Sequence, residues 1–194
     1  MGSISNIKHA VQKGLRILDR ILIRYNLKKI TWKKIEYFND LWKERIQVMS
    51  QYISPNTDVV DLGCGPMWLK DMVQLKKYYP VDYIDRGSDC IVCDFNKHQF
   101  PDIKADIAFV SGALEYVEDV EWFIKNITQN TNRCIISYYT IEEWPDIIVR
   151  KQWAWVNNLK KDELIAVFKK NNFHLSKYVY ELNKYPIFIF DKQN

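Results

Sequence analysis

The sequence lacks several features that define large classes of proteins. No uninterrupted apolar run approaches the roughly 18 residues that a membrane-spanning helix needs, and the first residues lack the apolar stretch of a secretory signal. Only 3 histidines and 4 cysteines occur in 194 residues, and the CxxC pair Cys90 and Cys93 has no second Cys or His pair at zinc spacing. We therefore expect a cytoplasmic protein with free, buried thiols, no metal site and no transmembrane segment.

Charge is distributed unevenly along the chain. Residues 1–50 contain 11 Lys and Arg against 4 Asp and Glu, whereas residues 51–194 contain 17 against 20. The basic character therefore belongs to an N-terminal extension, residues 1–54, and the remaining domain, residues 55–194, is mildly acidic. A nucleic-acid groove across that domain would need a basic lining, so nucleic acid is not an expected partner.

The extension contains two helical patterns. Residues 6–25 place apolar side chains on one stripe and basic ones off it, which is typical of an amphipathic helix. The stripe consists of Ile7, Val11, Leu15, Leu18, Leu22 and Tyr25. Such a helix either lies on an anionic membrane surface or packs on its own domain or on a second copy, and both interpretations stay open. A second helical pattern covers residues 33–52.

From residue 58 onward, short apolar strands alternate with helical patterns. Strands are predicted at 59–62, 78–82, 90–93, 107–110, 134–139, 174–181 and 186–191, and helices at 67–77, 119–129 and 161–171. The last two strands are too close in sequence for a crossover helix, so they must be antiparallel. The alternation predicts one α/β domain with a mainly parallel sheet, an antiparallel last strand and helices on both faces.

Ligands of an open parallel sheet bind beyond the carboxyl ends of its strands. The first strand leads into Asp61-Leu62-Gly63-Cys64-Gly65, where the glycines permit a sharp turn and close approach of a ligand. Asp82 ends the second strand and can accept both ribose hydroxyls of an adenosine, with Asp85 as the second candidate. Asp94-Phe95 follows the third strand, where a carboxylate can meet an adenine amino group and a ring can stack on the base. Each acid taken singly can also be a solvated strand-end residue.

The first turn does not suit a dinucleotide. The dinucleotide fingerprint needs a third glycine at the start of the following helix, and Trp68 stands there. A pyrophosphate would meet a large indole at that point. S-adenosylmethionine contains no phosphate, so it tolerates this departure.

Two segments resemble known motifs of one family. Residues 59–65 resemble the first motif of class I S-adenosylmethionine-dependent methyltransferases, and residues 105–117 resemble their fourth-strand motif. Asp162-Glu163-Leu164 and Asn171-Asn172-Phe173 resemble the end of the domain, so the likeness covers about 56–191. The resemblance implies a Rossmann-like sheet of seven strands with a reversed last strand, and S-adenosyl-L-methionine as the cofactor.

The resemblance also implies roles for particular residues. The cofactor-binding residues would be Asp61, Gly63, Cys64, Gly65, Asp82, Asp94, Phe95, Ser111 and Leu114. Asp61, Gly63 and Gly65 would surround the amino-acid end of the cofactor. Asp82 would hold the ribose, and Asp94 with Phe95 the adenine. The segment 111–115 would lie beside the methionine portion and the methyl group. The chain departs from the family pattern at Met67, where a small residue is usual, and at Tyr116, where a histidine is common.

Methylation of a hydroxyl group calls for a general base within hydrogen-bond reach. Glu115 and Tyr116 are the nearest candidates by motif position, and Tyr138, Tyr139 and Asp146 are further options. Glu115 can equally cap the following helix or contact the cofactor.

The stretch 141–159 is rich in tryptophan and lies where the family often builds its acceptor site. Its rings can stack against a sugar or another flat face, or they can pack on one another as a lid. The leading hypothesis is a small-molecule methyltransferase, acting on oxygen of a glycan or lipid-linked sugar. The alternatives are a protein or RNA methyltransferase and a non-catalytic S-adenosylmethionine-binding partner subunit.

Overall fold

Seven strands form one mixed sheet in the computed structural model, which describes residues 14, 17–25, 27–87, 89–182 and 184–193. The strands are β1 (Asp58–Leu62), β2 (Lys77–Asp82), β3 (Ile91–Val92), β4 (Ile107–Ser111), β5 (Arg133–Ser137), β6 (Phe173–Glu181) and β7 (Tyr185–Lys192). Their order is β3-β2-β1-β4-β5-β7-β6, and β7 alone runs antiparallel to both of its neighbours. The predicted fold class, a Rossmann-like and mainly parallel sheet with a reversed last strand, is confirmed.

Both faces of this sheet are covered. The helices are α1 (described over residues 17–24), α2 (Trp32–Ile35), α3 (Leu41–Ser50), α4 (Val120–Asn130), α5 (Ile147–Gln152) and α6 (Lys161–Lys170). Because side chains alternate along a strand, Val59 and Phe109 join a buried cluster with α3, while Val60 and Ala108 join another with α4 and α6. The N-terminal extension thus supplies part of the core through Met49 of α3, which is completely buried.

Helix α4 illustrates how the sequence sets these boundaries. The side chain of Asp119 accepts a hydrogen bond from the Trp122 amide at 3.0 Å and caps the first turn. Phe123, Ile124 and Ile127 then fall on one face and are fully buried, each contributing about 1.5–3 kcal/mol. This packing fixes the segment between β4 and α4, which lines the site described below.

Two predicted helices were wrong in extent. The helix expected at 33–52 is interrupted at 36–40, where Glu36 leaves the helical region with φ −43° and ψ 120°. The helix expected at 67–77 is only a short 3₁₀ turn, Trp68–Asp71, because Met67 adopts a left-handed φ of 58° and β2 already begins at Lys77. In both places tertiary contacts override the local helical pattern.

Other boundaries needed smaller corrections. The third strand has only two residues, Ile91–Val92, and the fifth ends at Ser137, which leaves Tyr138 and Tyr139 in the loop that follows. The Trp-rich stretch, for which no helix is predicted, contains the short helix α5. The predicted helices at 119–129 and 161–171 agree with α4 and α6 to within one residue.

The predicted helix 6–25 is only partly described. Residues 6–13, 15 and 16 lie outside the described residues, and 17–24 are helical. Ile23 is buried and Leu22 is half-buried, whereas Leu18 and Tyr25 are exposed, so two of the three described residues of the predicted stripe face solvent. None of the described helices combines the length and apolar character needed to cross a bilayer. Contact of this face with an anionic membrane stays a prediction.

Candidate active site

A cavity of about 610 Å³ opens at the carboxyl ends of β1, β2 and β4. Its volume lies within the range of roughly 300–1,000 Å³ that small-molecule pockets occupy. Ten of the eleven site residues predicted from the sequence line it, namely Asp61, Gly63, Cys64, Gly65, Asp82, Asp94, Phe95, Ser111, Glu115 and Tyr116. Leu114 is the exception, because its side chain is fully buried in the hydrophobic core.

The loop after β1 depends on its glycines. Gly63 has a φ of +85°, and a Cβ at this position would lie 2.6 Å from the Cβ of Ala113. Gly65 has a φ of +50°, and its Cβ would lie 2.7 Å from the ring of Phe38. The amides of Gly63 and Cys64 both donate to the Val81 carbonyl, at 2.8 and 3.0 Å, which ties the loop to β2. Only glycine fits both positions, so the loop is built for close approach.

Asp82, at the end of β2, links that strand to the glycine loop. One carboxylate oxygen accepts from the Gly65 amide at 2.9 Å, and the other accepts from the Tyr83 amide at 2.7 Å. The guanidinium of Arg86 adds an ion pair at 3.2 Å. Asp85, the second candidate for the ribose, is exposed, accepts from the Gly87 amide and does not line the cavity. The structure therefore places Asp82, and not Asp85, in the cavity.

Asp94 and Phe95 lie at the end of the cavity formed by β3. The Lys33 ammonium pairs with one oxygen of Asp94 at 2.5 Å, and the Asn96 amide donates to the other at 3.3 Å. The Lys33 side chain is 53% exposed, and ion pairs of that kind contribute only about 0–1 kcal/mol, so a ligand amino group can displace the lysine. The ring of Phe95 packs at 4.7 Å on Phe123, which holds it at the cavity wall.

Asp61 is buried beneath the glycine loop. Its carboxylate accepts a hydrogen bond from the Tyr78 hydroxyl at 2.6 Å. Burial raises the pKa of Asp61 to about 7, with the charge of Asp82 adding to the effect and the Tyr78 hydrogen bond opposing it. Tyr78 thus holds Asp61 in place from below the loop.

Glu115 is the acid of the cavity lining that follows β4. It is buried, and one of its oxygens accepts from the Tyr139 amide at 3.2 Å. Its second oxygen has no hydrogen-bond partner among the described residues. Burial raises the pKa of Glu115 above its ordinary value, while Arg45 and Arg150 oppose the rise. A carboxylate with a free oxygen and a raised pKa can accept a proton from a ligand.

The structure also bears on the helix-cap interpretation of Glu115 and on the candidate bases Asp146 and Tyr138. Asp119, and not Glu115, caps α4. Asp146 caps α5 by accepting from two backbone amides, and the Tyr138 hydroxyl is bonded to Asn157, so neither of these side chains reaches the cavity lining.

Tyr139 and Tyr116 do line the cavity, but as phenols that keep their protons. The Tyr139 hydroxyl donates to the Lys184 carbonyl at 2.8 Å. Burial raises the pKa of Tyr116, and the charge of Glu115 raises it further. Glu115 is therefore the remaining candidate for a general base among the lining residues considered.

The N-terminal extension forms one wall of the cavity, which the sequence interpretation missed. We call residues 29–46 the N-terminal strap. The Trp32 ring lies 4.8 Å from that of Tyr116, and Glu36 accepts hydrogen bonds from Arg86 and the Tyr83 hydroxyl. The aromatic density of the strap was a visible signal. The strap residues that line the cavity with aromatic or charged side chains are Lys29, Trp32, Lys33, Phe38, Trp42 and Arg45.

The Trp-rich segment forms the facing wall. The rings of Tyr139 and Trp155 stack with centroids 5.7 Å apart, and Trp144 meets both edge-on. Behind them Arg150 is fully buried, lies 4.7 Å from the Trp155 ring and donates to backbone carbonyls, including those of Tyr139 and Trp144. The rings of this segment therefore pack on one another, and they also line the cavity.

The cysteines and the potential metal ligands are the remaining side chains with reactive chemistry. All four cysteines are free, with Cys64, Cys93 and Cys134 buried and Cys90 half-buried. Within the described ranges, no group of three or more His, Cys, Asp or Glu side chains is arranged to hold a metal ion.

Comparison with known proteins relies on structure, since neither a family model nor a curated protein matches this sequence. One similar structure is CalO1, a methyltransferase in calicheamicin biosynthesis in its SAH-bound form, with 12% identity and a TM-score of 0.59. The match covers 78% of this chain and only 54% of CalO1. Another is 1,6-didemethyltoxoflavin-N1-methyltransferase of Burkholderia thailandensis, with 12% identity, 80% coverage of both chains and a TM-score of 0.58.

A third similar structure is magnesium protoporphyrin IX methyltransferase of Synechocystis PCC 6803 with bound SAH. It has 13% identity and a TM-score of 0.60, and the match covers 84% of this chain and 93% of the other. This chain has the class I methyltransferase fold. S-adenosylmethionine is the cofactor of this fold, as the structures with bound S-adenosylhomocysteine (SAH) show.

The cavity fits the cofactor of the class I methyltransferase fold. The glycine loop leaves no room for a Cβ at Gly63 or Gly65, and carboxylates stand at the end of β2, at Asp82, and after β3, at Asp94. Trp68 lines the cavity where a dinucleotide would bring its pyrophosphate. The donor and acceptor groups present suit an adenosine without phosphate.

Proposed function

We propose that this chain is an S-adenosylmethionine-dependent methyltransferase that acts on a hydroxyl group of a small molecule. One observation carries the proposal, namely that Glu115 of the cavity lining has a buried carboxylate oxygen without a hydrogen-bond partner among the described residues. A methyl-transfer site needs an adenosine-binding end and an acceptor end, and we assign Asp82 and Asp94 to the first and Glu115 to the second.

The adenosine end is formed by three strand ends. We propose that Asp82 accepts the ribose hydroxyls, that Asp94 accepts the adenine amino group after Lys33 moves aside, and that Phe95 lies against the base. Support comes from the placement of Asp82 and Asp94 in the lining and from the weak, half-exposed pairing of Lys33. The loop from Asp61 to Gly65 would surround the amino-acid portion.

S-adenosylmethionine supplies a methyl group on a positively charged sulfur, which leaves as a neutral thioether. The protein's part is to position the acceptor oxygen and to take its proton. Glu115 would accept that proton on its free oxygen as the new O–CH₃ bond forms, while the Tyr139 amide keeps the carboxylate oriented. The positive charges of Arg45 and Arg150 favour the ionised form that this role requires.

Ring walls on both sides of the cavity favour a flat acceptor. Trp32 and Trp42 of the strap face one side, and Tyr139, Trp144 and Trp155 face the other. Such rings stack on aromatic systems and on the apolar faces of sugars, and they exclude water from the reacting atoms. We therefore propose a ring-bearing acceptor, with a glycan or lipid-linked sugar as the narrower hypothesis. The structurally similar methyltransferases named above include one of calicheamicin biosynthesis and one bound to didemethyltoxoflavin, which are likewise small-molecule enzymes.

The proposal is tested by incubating the purified chain with methyl-labelled S-adenosylmethionine and hydroxylated acceptors. We expect label to appear as an O-methyl ether on sugars or flat ring compounds, and Gly63→Val to abolish the transfer because a side chain cannot enter the loop at this position. Label on RNA or protein but on none of the small molecules would contradict the acceptor class. Cofactor binding without transfer to any acceptor would instead favour a non-catalytic partner subunit.

A further inference from the structure

An arginine with unused hydrogen-bond donors lies at the acceptor end of the cavity. Arg45, on α3, is only 8% exposed and belongs to the cavity lining. Its Nε donates to the Ser111 hydroxyl at 3.0 Å, and its Nη2 donates to the Ser111 carbonyl at 3.2 Å. A guanidinium carries more N–H groups than these two bonds use, so the Nη1 side remains available to a ligand.

The charge of Arg45 has no direct counterpart in the protein. In the part of the chain that the structure describes, no carboxylate forms an ion pair with it. Glu115 is near enough for Arg45 to influence its pKa, yet its second oxygen has no partner. A buried cation and an unpartnered buried acid therefore share one end of the cavity without a hydrogen bond between them. Such an arrangement is unfavourable unless a ligand supplies the missing partner.

The guanidinium is also held in a defined position. A Cβ on Gly112 would lie 2.5 Å from Nη2 of Arg45, so the glycine allows the guanidinium to lie against the backbone that follows β4. The Trp42 ring covers it at 5.6 Å. Lys184, another cation of the cavity lining, already forms an ion pair with Glu44 at 3.0 Å. Arg45 is therefore preorganised to bind an anion, and Lys184 is not.

We propose that Arg45 binds a ligand carboxylate at the end of the cavity where methyl transfer takes place. A guanidinium and a carboxylate can form two parallel N–H···O bonds, which fixes orientation as well as charge. The carboxylate has two sources, the amino-acid portion of the cofactor and an acid group on the acceptor, and both rest on the proposed function. The cofactor is favoured because Ser111, which holds Arg45, begins the segment assigned by resemblance to the methionine portion.

Calorimetric titration of the full chain with two nucleosides tests this proposal. SAH carries the carboxylate, and methylthioadenosine has the same adenosine and sulfur but lacks the amino-acid portion. We expect Arg45→Met to weaken the binding of SAH by about 10- to 100-fold and to leave the binding of methylthioadenosine unchanged. Arg45→Lys should recover part of the loss. Lys43→Met removes a cation from the same helix outside the cavity lining and should leave both affinities unchanged.

The outcomes separate the possible sources of the carboxylate. Unchanged affinity for SAH in Arg45→Met, together with lost binding of salicylate to the SAH-saturated chain, would assign the carboxylate to the acceptor. Equal loss for SAH and methylthioadenosine would show that Arg45 only supports the fold of the site, which overturns the proposal. Unchanged binding of SAH, methylthioadenosine and salicylate in Arg45→Met overturns the proposal as well. Absence of nucleoside binding to the wild-type chain would overturn the proposed function itself.

Discussion

Asp82→Ala is expected to weaken the binding of SAH by about 100-fold or more. Two ribose hydroxyls would lose a charged acceptor, and hydrogen bonds to a charged group contribute about 1.5–3 kcal/mol each. The substitution also frees the Gly65 amide, which donates to this carboxylate at 2.9 Å, so the glycine loop loses an anchor. The affinities of variant and wild type are compared by isothermal titration calorimetry.

The chain offers a matched control three residues further along. Asp85→Ala removes the same group from an exposed site outside the cavity lining, and it should leave the affinity for SAH unchanged. If Asp85→Ala abolished binding while Asp82→Ala did not, the assignment of the ribose site to the end of β2 would be wrong. Thermal melting of both variants checks that each still folds.

The second large effect is expected at Glu115. Glu115→Gln keeps the acceptor for the Tyr139 amide but removes the proton-accepting carboxylate, so turnover of a hydroxyl acceptor should fall by about 10²- to 10⁴-fold. The affinity for SAH should stay within a few fold of wild type. Glu121→Gln, which changes an exposed acid of α4 outside the lining, should turn over normally. Loss of SAH affinity in step with turnover would place Glu115 in cofactor binding instead.

The pH dependence separates a catalytic from a structural role for Glu115. The base works when deprotonated, so turnover should fall as the pH drops through a pKa raised above the ordinary 4.5. For stability the sign is opposite, because the folded state holds this proton more tightly than the unfolded state. The free energy of unfolding of the wild type should therefore decrease as the pH rises from 4.5 through the raised pKa. Glu115→Gln should lose the part of this decrease that Glu115 causes, while the part due to the raised pKa of Asp61 remains, so the variant should be at least as stable as the wild type near neutral pH.

Much of the fold was predictable because its signals are local. Short apolar strands, a glycine turn after β1 and a tight terminal hairpin are each written in a few consecutive residues, and all of them correspond to elements of the sheet. The placement of Asp82 and Asp94 followed from the same reasoning, since carboxyl ends of neighbouring parallel strands meet at one edge of a sheet. The segment at 67–77 was mispredicted because the left-handed backbone of Met67 leaves only a short turn before β2.

The walls of the site were not predictable in the same way. Arg45 meets Ser111, and Trp32 meets Tyr116, across more than sixty residues of sequence, and no periodicity specifies such contacts. The free oxygen of Glu115 is likewise a property of the assembled cavity, because it depends on which neighbours reach that side chain. The charge pattern predicts only a basic N-terminal extension, whereas residues of that extension line the cavity.

The most direct test of the whole account is a calorimetric titration of the purified chain with SAH. We expect saturable binding of one SAH per chain, at the glycine loop between Asp61 and Gly65. No detectable binding, by a chain that melts cooperatively and is therefore folded, would contradict the proposed cofactor site and the methyltransferase function that depends on it.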